Sequence, residues 1–326
     1  MALTQSRVDR HIAEWEGKLS TGAFLHRSRW PSRLFHHSPI ENAAQILKAG
    51  QLLSRNHSTG SRKLDVADTS VIQNRDRAHQ FARLYFRPRT PTQYHIEGVR
   101  KIDDYYNGDP KAHAPTLVML IFNSRRILTR QGVRFSTGNM QSFDAEDGDT
   151  EEIFDTIEFA KVYHEGVTGG DRSIIHCRCA EVLTPSPLPI SDCLTSIYCR
   201  SSAERTTLLY ELGSEARRWR DVIFISDDLR VFEKQYTFVE SVSLQHDGVV
   251  FRLHPFRRPI LCQIIIWDSA GREIARRSHP ELPTVPSGNT AWREPVGLTN
   301  GTYRVQINLE GCRAFESTLL LEDAPF

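Results

Sequence analysis

The stretch LFHHSPIENAAQILKAG, residues 34–50, joins a short apolar segment to an amphipathic helix through two adjacent histidines. The segment RLFHH predicts a strand, and the apolar residues after it recur at helical spacing. Ser38 is a typical N-cap residue, Pro39 suits the first helical position, and Gly50 is a natural helix end. The histidines therefore stand at a strand-to-helix turn, where free helix amides favour an anionic phosphate.

The composition of the 326 residues is that of a folded protein with nearly balanced charge. It contains 41 basic and 40 acidic residues, and 39% of the chain is hydrophobic. This balance does not by itself indicate a nucleic-acid-binding protein, and it leaves room for a local basic face. The apolar runs are too short to cross a bilayer, and the N-terminal residues lack the apolar core of a secretory signal. We therefore expect a cytoplasmic protein without a membrane partner.

Six cysteines raise the question of a metal site. Four of them fall within Cys177–Cys199, but Cys177 and Cys179 are separated by one residue, unlike the pairs of common zinc sites. Zinc remains an alternative, and we predict reduced, mostly buried thiols and no metal.

Hydrophobic patterns predict a mixed α+β region followed by an all-β region. The character changes near Lys234, after which short strands alternate with turns such as Asn300-Gly301 and Glu310-Gly311. We therefore predict one domain over residues 1–233 and an accessory β-sandwich over residues 236–326. In the first domain we predict a helix at 7–19, an amphipathic stretch at 75–86, an extended segment at 87–94, a buried strand at 115–122, an alternating strand at 173–183, and a helix at 202–218.

Four separated segments carry a family resemblance when they are read together and in order. They are HHS at residues 36–38, IQNR at 72–75, YFRPRTPTQY at 85–94 and CAEVL at 179–183. From about residue 33 to residue 212, the chain resembles the DarT-type ADP-ribosyltransferases, which transfer ADP-ribose from NAD to bases of nucleic acid. The resemblance implies a split β-sheet core with flanking helices, and NAD as co-substrate.

The resemblance also implies roles for individual residues. Glu181 matches the catalytic glutamate, and His36 matches the histidine that holds the NAD ribose. Arg75 matches the arginine that holds NAD and aids catalysis, although Arg77 is an alternative in that segment. Further NAD contacts are implied for Ser38, Asn42, Tyr85 and Tyr94.

The acceptor side of the site is predicted from arginines and from one loop. The stretch from Arg75 to Arg100 contains arginines and aromatic residues but no lysine, which suits an unpaired strand with exposed bases. The loop 163–173 lies where the family carries its substrate-recognition loop. We therefore predict substrate contacts for Arg77, Arg87, Arg89, His164 and Arg172.

The proposed chemistry needs a carboxylate beside a sugar. Cleavage of the nicotinamide–ribose bond develops positive charge on the ribose, and a fixed carboxylate such as Glu181 stabilises it. The same group can take the proton of the incoming base nitrogen. A guanidinium and helix amides supply donors for the pyrophosphate.

Several alternatives remain open at this stage. Each residue alone has an ordinary structural explanation, since Glu181 could be an exposed strand residue and the arginines a solvated basic face. The acceptor could be DNA or RNA, and the enzyme could instead modify protein or hydrolyse NAD. A non-catalytic nucleic-acid-binding module is the alternative of another class. As an enzyme on single-stranded nucleic acid, we expect a toxin or antiphage effector that an antitoxin or inhibitor protein restrains.

Overall fold

A computed structural model describes residues 2–58, 60, 78–109, 113–140, 142, 145–288 and 290–323. Two predicted site residues, Arg75 and Arg77, lie outside this described part of the chain.

An eight-stranded sheet forms the centre of the first 230 residues. Its strand order is β10-β9-β4-β1-β3-β7-β5-β6, with β10 parallel to β9 and every other neighbouring pair antiparallel. A two-stranded sheet of β2 and β8 lies apart from it. The strands are β1 (Arg33–Pro39), β2 (Gln51–Leu52), β3 (Phe81–Tyr85), β4 (Leu117–Asn123), β5 (Arg134–Ser136), β6 (Asp147–Gly148), β7 (Glu181–Pro185), β8 (Leu188–Pro189), β9 (Leu194–Cys199) and β10 (Ile223–Ile225).

The two halves of this sheet meet weakly between β1 and β3. Strand β1 pairs with β4 at seven positions but with β3 at one position, where Phe35 faces Tyr85. Strand β3 in turn pairs with β7 along its whole length. The β1–β3 junction is therefore where the sheet is nearly divided.

Helices pack around this sheet, and short 3₁₀ turns supplement them. Apolar residues of β4, which is buried except at its last residue, form the centre of the core with the buried face of the helix that follows β1. In the described residues the α-helices are α1 (Gln5–Leu19), α2 (Ile40–Ala49), α3 (Pro91–Ile96), α4 (Ser124–Leu128), α5 (Glu151–Thr156), α6 (Phe159–Val162), α7 (Arg172–Cys177), α8 (Ser202–Leu212) and α9 (Ala216–Trp219).

The start of α2 differs from the predicted cap. Ser38 is the penultimate residue of β1, where it pairs with Val118, and Pro39 occupies the N-cap without a capping side-chain bond. The prediction that Ser38 caps the helix is therefore wrong, because the strand continues two residues beyond the predicted segment RLFHH, to Pro39. Gly50 ends the helix with φ of 65°, as predicted.

Three other segments also depart from the sequence prediction. The predicted strand at 173–183 begins only at Glu181, because Asp171 accepts a bond from the Ser173 amide and starts helix α7. The predicted extended segment 87–94 ends in helix α3, which Thr90 caps and Pro91 begins. The long helix predicted at 202–218 is interrupted at Gly213, which has φ of 58°.

The C-terminal region is two antiparallel sheets around a second apolar core. The three-stranded sheet has the order β11-β12-β15, and the four-stranded sheet has the order β14-β13-β16-β17. Phe251 of the first sheet and Ile264 of the second belong to the same buried cluster. The α+β fold class with a C-terminal β part is confirmed. The strands are β11 (Val239–Gln245), β12 (Gly248–Leu253), β13 (Ile260–Trp267), β14 (Glu273–Leu282), β15 (Trp292–Pro295), β16 (Gly301–Leu309) and β17 (Cys312–Leu321).

The two predicted hairpin turns have different outcomes. Glu310 and Gly311 join β16 to β17 in a two-residue turn, as predicted. Asn300-Gly301 instead lies where the chain passes from β15 in one sheet to β16 in the other. Within the described residues, every helix is too short or too polar to span a membrane.

Candidate functional site

Glu181 is the first residue of β7 and is almost completely buried. Its side chain is 1% exposed, so it is not the exposed strand residue that the sequence left open. Its amide donates to Ser136 Oγ over 2.9 Å, which fixes the start of the strand. A buried carboxylate of this kind needs a charged partner.

Arg83 of β3 is that partner. Its Nε lies 2.8 Å from Glu181 Oε2, and its Nη2 bonds the other carboxylate oxygen, so the pair is bidentate. Burial alone lowers the pKa of this guanidinium, but the charge of Glu181 raises it above its ordinary value. The carboxylate is thereby held in one orientation.

His36 contacts the main chain of the same arginine. Its Nδ1 lies 2.9 Å from the Arg83 carbonyl oxygen, and because that oxygen only accepts, Nδ1 carries the proton. Burial lowers the pKa of His36 to about 4, although the bond to Arg83 opposes the shift. His36 is therefore neutral near pH 7, with Nε2 left as an acceptor for a hydroxyl group. Through Arg83, the structure links His36 and Glu181, which are far apart in the sequence.

His37 and Tyr85 form a second contact at this junction. Their rings stack at 5.4 Å with planes 11° apart. Alternation along β1 places His37 on the same face as Phe35, the residue registered with Tyr85. Burial lowers the pKa of His37 to about 3, so this imidazole is also neutral. The two adjacent histidines therefore make different contacts. His36 bonds the main chain of Arg83, and His37 packs on the ring of Tyr85.

The other predicted NAD contacts lie on different elements. Ser38 is buried near the end of β1, and Asn42 is partly buried in the first turn of α2. Tyr94 lies on α3 and is 47% exposed, with its ring edge-on to His95. Their contact with NAD stays a prediction.

Two arginines predicted to contact substrate, Arg87 and Arg89, converge on one carboxylate, and Arg178, which was not predicted, lies beside them. We call this group the arginine cluster. It consists of Arg87, Arg89 and Arg178 around Glu165. Arg89 Nη2 lies 2.6 Å from Glu165 Oε2, and Arg87 Nη2 lies 3.4 Å from the same oxygen. Arg178 donates to His164 Nδ1 over 2.7 Å. Three guanidinium groups against one carboxylate leave this region positive.

The pKa values of three groups near the arginine cluster, His26, His164 and Glu233, are shifted from their ordinary values. Burial and then the charge of Arg89 lower the pKa of His26 to about 4, and burial followed by Arg178 lowers that of His164. Burial raises the pKa of Glu233 to about 7, against the opposing charge of Arg89. Because the two imidazoles stay neutral and Glu233 is only partly ionised, the excess positive charge resides on the guanidinium groups.

The three arginines of the cluster differ in how far they are exposed and in the groups that they contact. Arg87 is 2% exposed and donates to the carbonyl groups of Val162 and His164, so it supports the loop from beneath. The structure therefore does not bring Arg87 to the surface, where we expected a strand to bind. Arg172 begins α7 and is exposed, and Val167 at the loop tip is 92% exposed.

Sequence reasoning missed Arg83, Ser136, Glu165 and Arg178. Arg83 precedes Tyr85 by two residues, so alternation along a strand would have placed both side chains on one face. That signal was hidden because residues 75–86 were interpreted as one amphipathic stretch. Arg178 precedes Glu181 by three residues, but the turn between α7 and β7 has no evident sequence signature.

Metal ligation has no candidate in the described part of the chain, where no three His, Cys, Asp or Glu side chains are grouped to hold an ion. The six cysteines are free thiols, and five of them are buried.

Comparison with known proteins gives one family match. The family model described as "ssDNA thymidine ADP-ribosyltransferase, DarT" matches residues 35–225, more than half of the chain. A comparison with curated proteins gives no match. Similar solved structures include Thermus sp. 2.9 DarT in complex with ADP-ribosylated ssDNA, with 17% identity and a TM-score of 0.49, covering 61% of this chain and 96% of that one. Another is Thermosipho africanus DarTG in complex with ADP-ribose, with 18% identity and a TM-score of 0.45, covering 68% of this chain and 55% of that one.

Proposed function

The chain belongs to the DarT family, and we propose that it transfers ADP-ribose from NAD to thymidine bases of single-stranded DNA. As a member of that family it is an NAD-dependent ADP-ribosyltransferase that acts on single-stranded DNA, with NAD as co-substrate. The observation that carries the proposed site is the link through Arg83, whose side chain bonds Glu181 and whose carbonyl bonds His36.

Glu181 has the central role in the proposed reaction. The bond between nicotinamide and the ribose C1′ breaks, and its electron pair leaves with nicotinamide. A fixed carboxylate stabilises the positive charge that develops on the sugar. A base nitrogen then forms the new bond to C1′, and its proton passes to the carboxylate. Burial and the bidentate contact with Arg83 fix this carboxylate before substrate binds.

The NAD end of the site is proposed at the β1–α2 turn. His36 accepts a ribose hydroxyl at Nε2, since Nδ1 is engaged with the main chain. The first amides of α2 face a turn where Pro39 supplies no capping side chain, which favours a phosphate there. Ser38 and Asn42 flank that turn, and the ring pair of His37 and Tyr85 offers a flat surface for nicotinamide.

The DNA strand is proposed to approach over the arginine cluster. Arg89 and Arg178 are partly exposed there, while Arg87 fixes the loop 163–171 beneath. Guanidinium groups contact phosphates at any sequence, so this surface positions the strand without reading it. Arg172 and the exposed Val167 at the loop are proposed to contact the bases.

In the cell we propose a toxin or antiphage effector. A charged adduct on a template base obstructs copying of the strand, so such an enzyme endangers its own host. We therefore propose an antitoxin or inhibitor protein that removes the mark or blocks the site. Because NAD and DNA are both present in the bacterial cytoplasm, we propose that the enzyme acts there.

The domain division is proposed along the two apolar cores. One core contains residues from Leu3 to Phe232, and the other consists mainly of residues from Val239 onward. This supports a catalytic domain over 1–233 and an accessory β-sandwich over 236–326. Arg313 of β17 contacts Glu41 of α2 over 2.9 Å, so the accessory part is proposed to hold the helix that borders the NAD site.

Mass spectrometry of oligonucleotides tests the proposed function. Matched single-stranded DNAs with and without thymidine, and the RNA equivalents, are incubated with NAD and the protein. We expect the mass of ADP-ribose on thymidine-containing DNA alone. Glu181→Ala should reduce the rate on the order of a hundredfold or more, as the loss of comparable charge-stabilising groups does.

The controls separate the alternatives. Glu158→Ala removes an exposed carboxylate outside the site and should leave the rate unchanged. Modification of RNA alone would overturn the assignment of DNA as acceptor, and label on polypeptide would favour a protein-directed enzyme. NAD hydrolysis without any adduct would favour a hydrolase. Unchanged activity of the Glu181→Ala variant would refute the assigned site.

A further inference from the structure

Arg83 lies outside every segment that carries the family resemblance, yet it makes the principal contact with Glu181. We propose that Arg83 is a positioning residue, which holds the Glu181 carboxylate in the orientation that ADP-ribose transfer requires. This inference rests on the proposed function and assigns a role that none of the matched segments supplies.

The strand register explains why this arginine reaches this glutamate. Strand β3 pairs with β7 so that Tyr85 faces Glu181 and Arg83 faces Leu183. Arg83 is therefore the diagonal neighbour of Glu181 on the same face, within the reach of a long side chain. The two residues next to Arg83 in the strand, Ala82 and Leu84, point to the opposite face of the sheet.

Burial makes the contact necessary. Glu181 is 1% exposed, and an isolated carboxylate at such a position would favour its neutral form. A neutral carboxylic acid neither stabilises positive charge on the ribose nor accepts the proton of the base. The guanidinium offsets the cost of burial and keeps the charge where the reaction needs it. Arg83 itself is 23% exposed, so it also forms part of the wall between Glu181 and solvent.

The main chain of Arg83 makes a second contact in the proposed site. Its carbonyl oxygen accepts from His36 at the junction where β1 and β3 share a single registered pair. One residue of β3 thus contacts the proposed ribose-binding histidine with its backbone and the catalytic glutamate with its side chain. The spacing of the two functional groups depends on where this residue lies.

The same sheet offers a matched ion pair for comparison. Arg134 of β5 contacts Asp147 of β6, with Nε 2.7 Å from Oδ2, and its side chain is exposed to nearly the same degree as that of Arg83. Removal of Arg134 therefore also costs a partly buried ion pair, the one that it forms with Asp147.

A double-mutant cycle tests the proposal. Arg83→Met, Glu181→Gln and the double variant are compared in the DNA transfer assay, with Arg134→Met as the control. We expect Arg83→Met to lower kcat by about 10- to 100-fold, the range typical for loss of a group that orients a reacting residue. In the Glu181→Gln background the same change should alter kcat by no more than about twofold, because Arg83 acts through Glu181.

Two further readouts distinguish positioning from a general structural role. The KM for NAD should stay within about twofold, and the acid limb of the pH–rate profile of Arg83→Met should move to higher pH, because the neutral carboxylic acid is favoured. Arg134→Met should show neither change. If Arg83→Met does not fold by circular dichroism, Arg83→Lys keeps the charge but not the bidentate contact, and its kcat should fall while KM is retained.

The outcomes are separable. An equal loss from Arg83→Met in the wild-type and Glu181→Gln backgrounds overturns the positioning role, as does full activity of both Arg83 variants. Loss of NAD affinity alone would mean that Arg83 binds NAD instead. Failure of the wild-type protein to modify any single-stranded DNA overturns the proposed function and this inference together.

Discussion

The buried pair Arg200–Glu204 gives the sharpest test of how the two parts of the chain are held together. Both side chains are completely buried, and Arg200 Nε lies 2.9 Å from Glu204 Oε1. Arg200 also donates to the Pro115 carbonyl and lies 4.5 Å from the centre of the Phe238 ring. Next to this pair, Ser201 Oγ bonds the Val239 carbonyl at the start of the β region. The pair thus lies between the two cores.

The expected magnitude follows from this burial. Arg200→Met removes one partner and leaves the Glu204 carboxylate without its counter-charge, which typically costs about 3–5 kcal/mol. Burial already raises the pKa of Glu204 despite the arginine, so the variant would favour the neutral acid. A loss of this size is a large fraction of the roughly 5–15 kcal/mol that stabilises most proteins. Glu97 Oε1 also lies 3.8 Å from Arg200 Nη1, but the Gln93 side chain and two main-chain amides bond the Glu97 carboxylate. The double variant Arg200→Met/Glu204→Met therefore leaves Glu97 with partners and should recover about 2 kcal/mol or more.

Urea unfolding measured by tryptophan fluorescence and circular dichroism provides the assay. We expect both signals to shift together in Arg200→Met, because the pair contacts elements of both cores. A loss below about 1 kcal/mol, or a double variant less stable than the single one, would refute the reasoning. Separate transitions for the two signals in the wild-type protein would show that the cores unfold independently.

Three other predictions follow from particular residues. Gly98→Ala should destabilise the fold by about 1–3 kcal/mol in urea unfolding, because a Cβ there would lie 2.6 Å from Tyr236 Cβ, whereas Gly271→Ala, also at positive φ but in open space, should cost less. Burial lowers the pKa of His11 to about 3, so the unfolded chain binds a proton at a higher pH than the folded chain does. The free energy of unfolding should therefore fall as pH decreases from 6.5 towards 3, by up to ~1.4 kcal/mol per pH unit. His11→Gln should reduce this dependence on pH in thermal melting curves. His36→Ala should raise the KM for NAD by about tenfold, the cost of one hydrogen bond to a ribose hydroxyl, whereas His57→Ala at an exposed Ser186 contact should not; equal KM values for both would count against the ribose contact.

Local patterns predicted the elements whose signals lie within a few residues. Strand β1, helix α2 and its end at Gly50 follow from apolar spacing and from a glycine that adopts positive φ. The strands of the β region follow from alternation, because one face of each lies on a shared core. Leu117–Asn123 was equally clear, since a continuous apolar run between polar flanks suits a strand buried on both faces.

Elements that depend on competing local signals were harder to predict. The residues 173–183 alternate well enough for a strand, but the Asp171 cap and the preceding glycines favour a helix first. Ser38 has the chemistry of a cap, but its pairing with Val118 extends the strand past it. In both cases a tertiary or capping contact decided between two conformations that the residues themselves allow.

The residues of the site also differ in whether a local pattern or a distant contact determines their position. Motif order pointed to His36 and Glu181, but no local pattern shows that Arg83 holds both, since β3 and β7 are nearly one hundred residues apart. Arg87 and Arg89 were predicted to contact substrate, yet Arg87 is buried and bonds the main chain of the loop instead. Which of several arginines faces inward is decided by packing, and the sequence alone cannot rank them.

The pairing of β3 with β7 also has a consequence for the time at which activity arises during synthesis. Phe81–Tyr85 leaves the ribosome long before Glu181–Pro185, so Arg83 is present without its glutamate while about one hundred further residues are added. Contacts between such distant segments form late, because a long loop must close first. A nascent chain, or a fragment that stops before β7, therefore lacks Glu181, the carboxylate proposed to be catalytic, so we expect transfer to DNA only after more than half of the protein has been made.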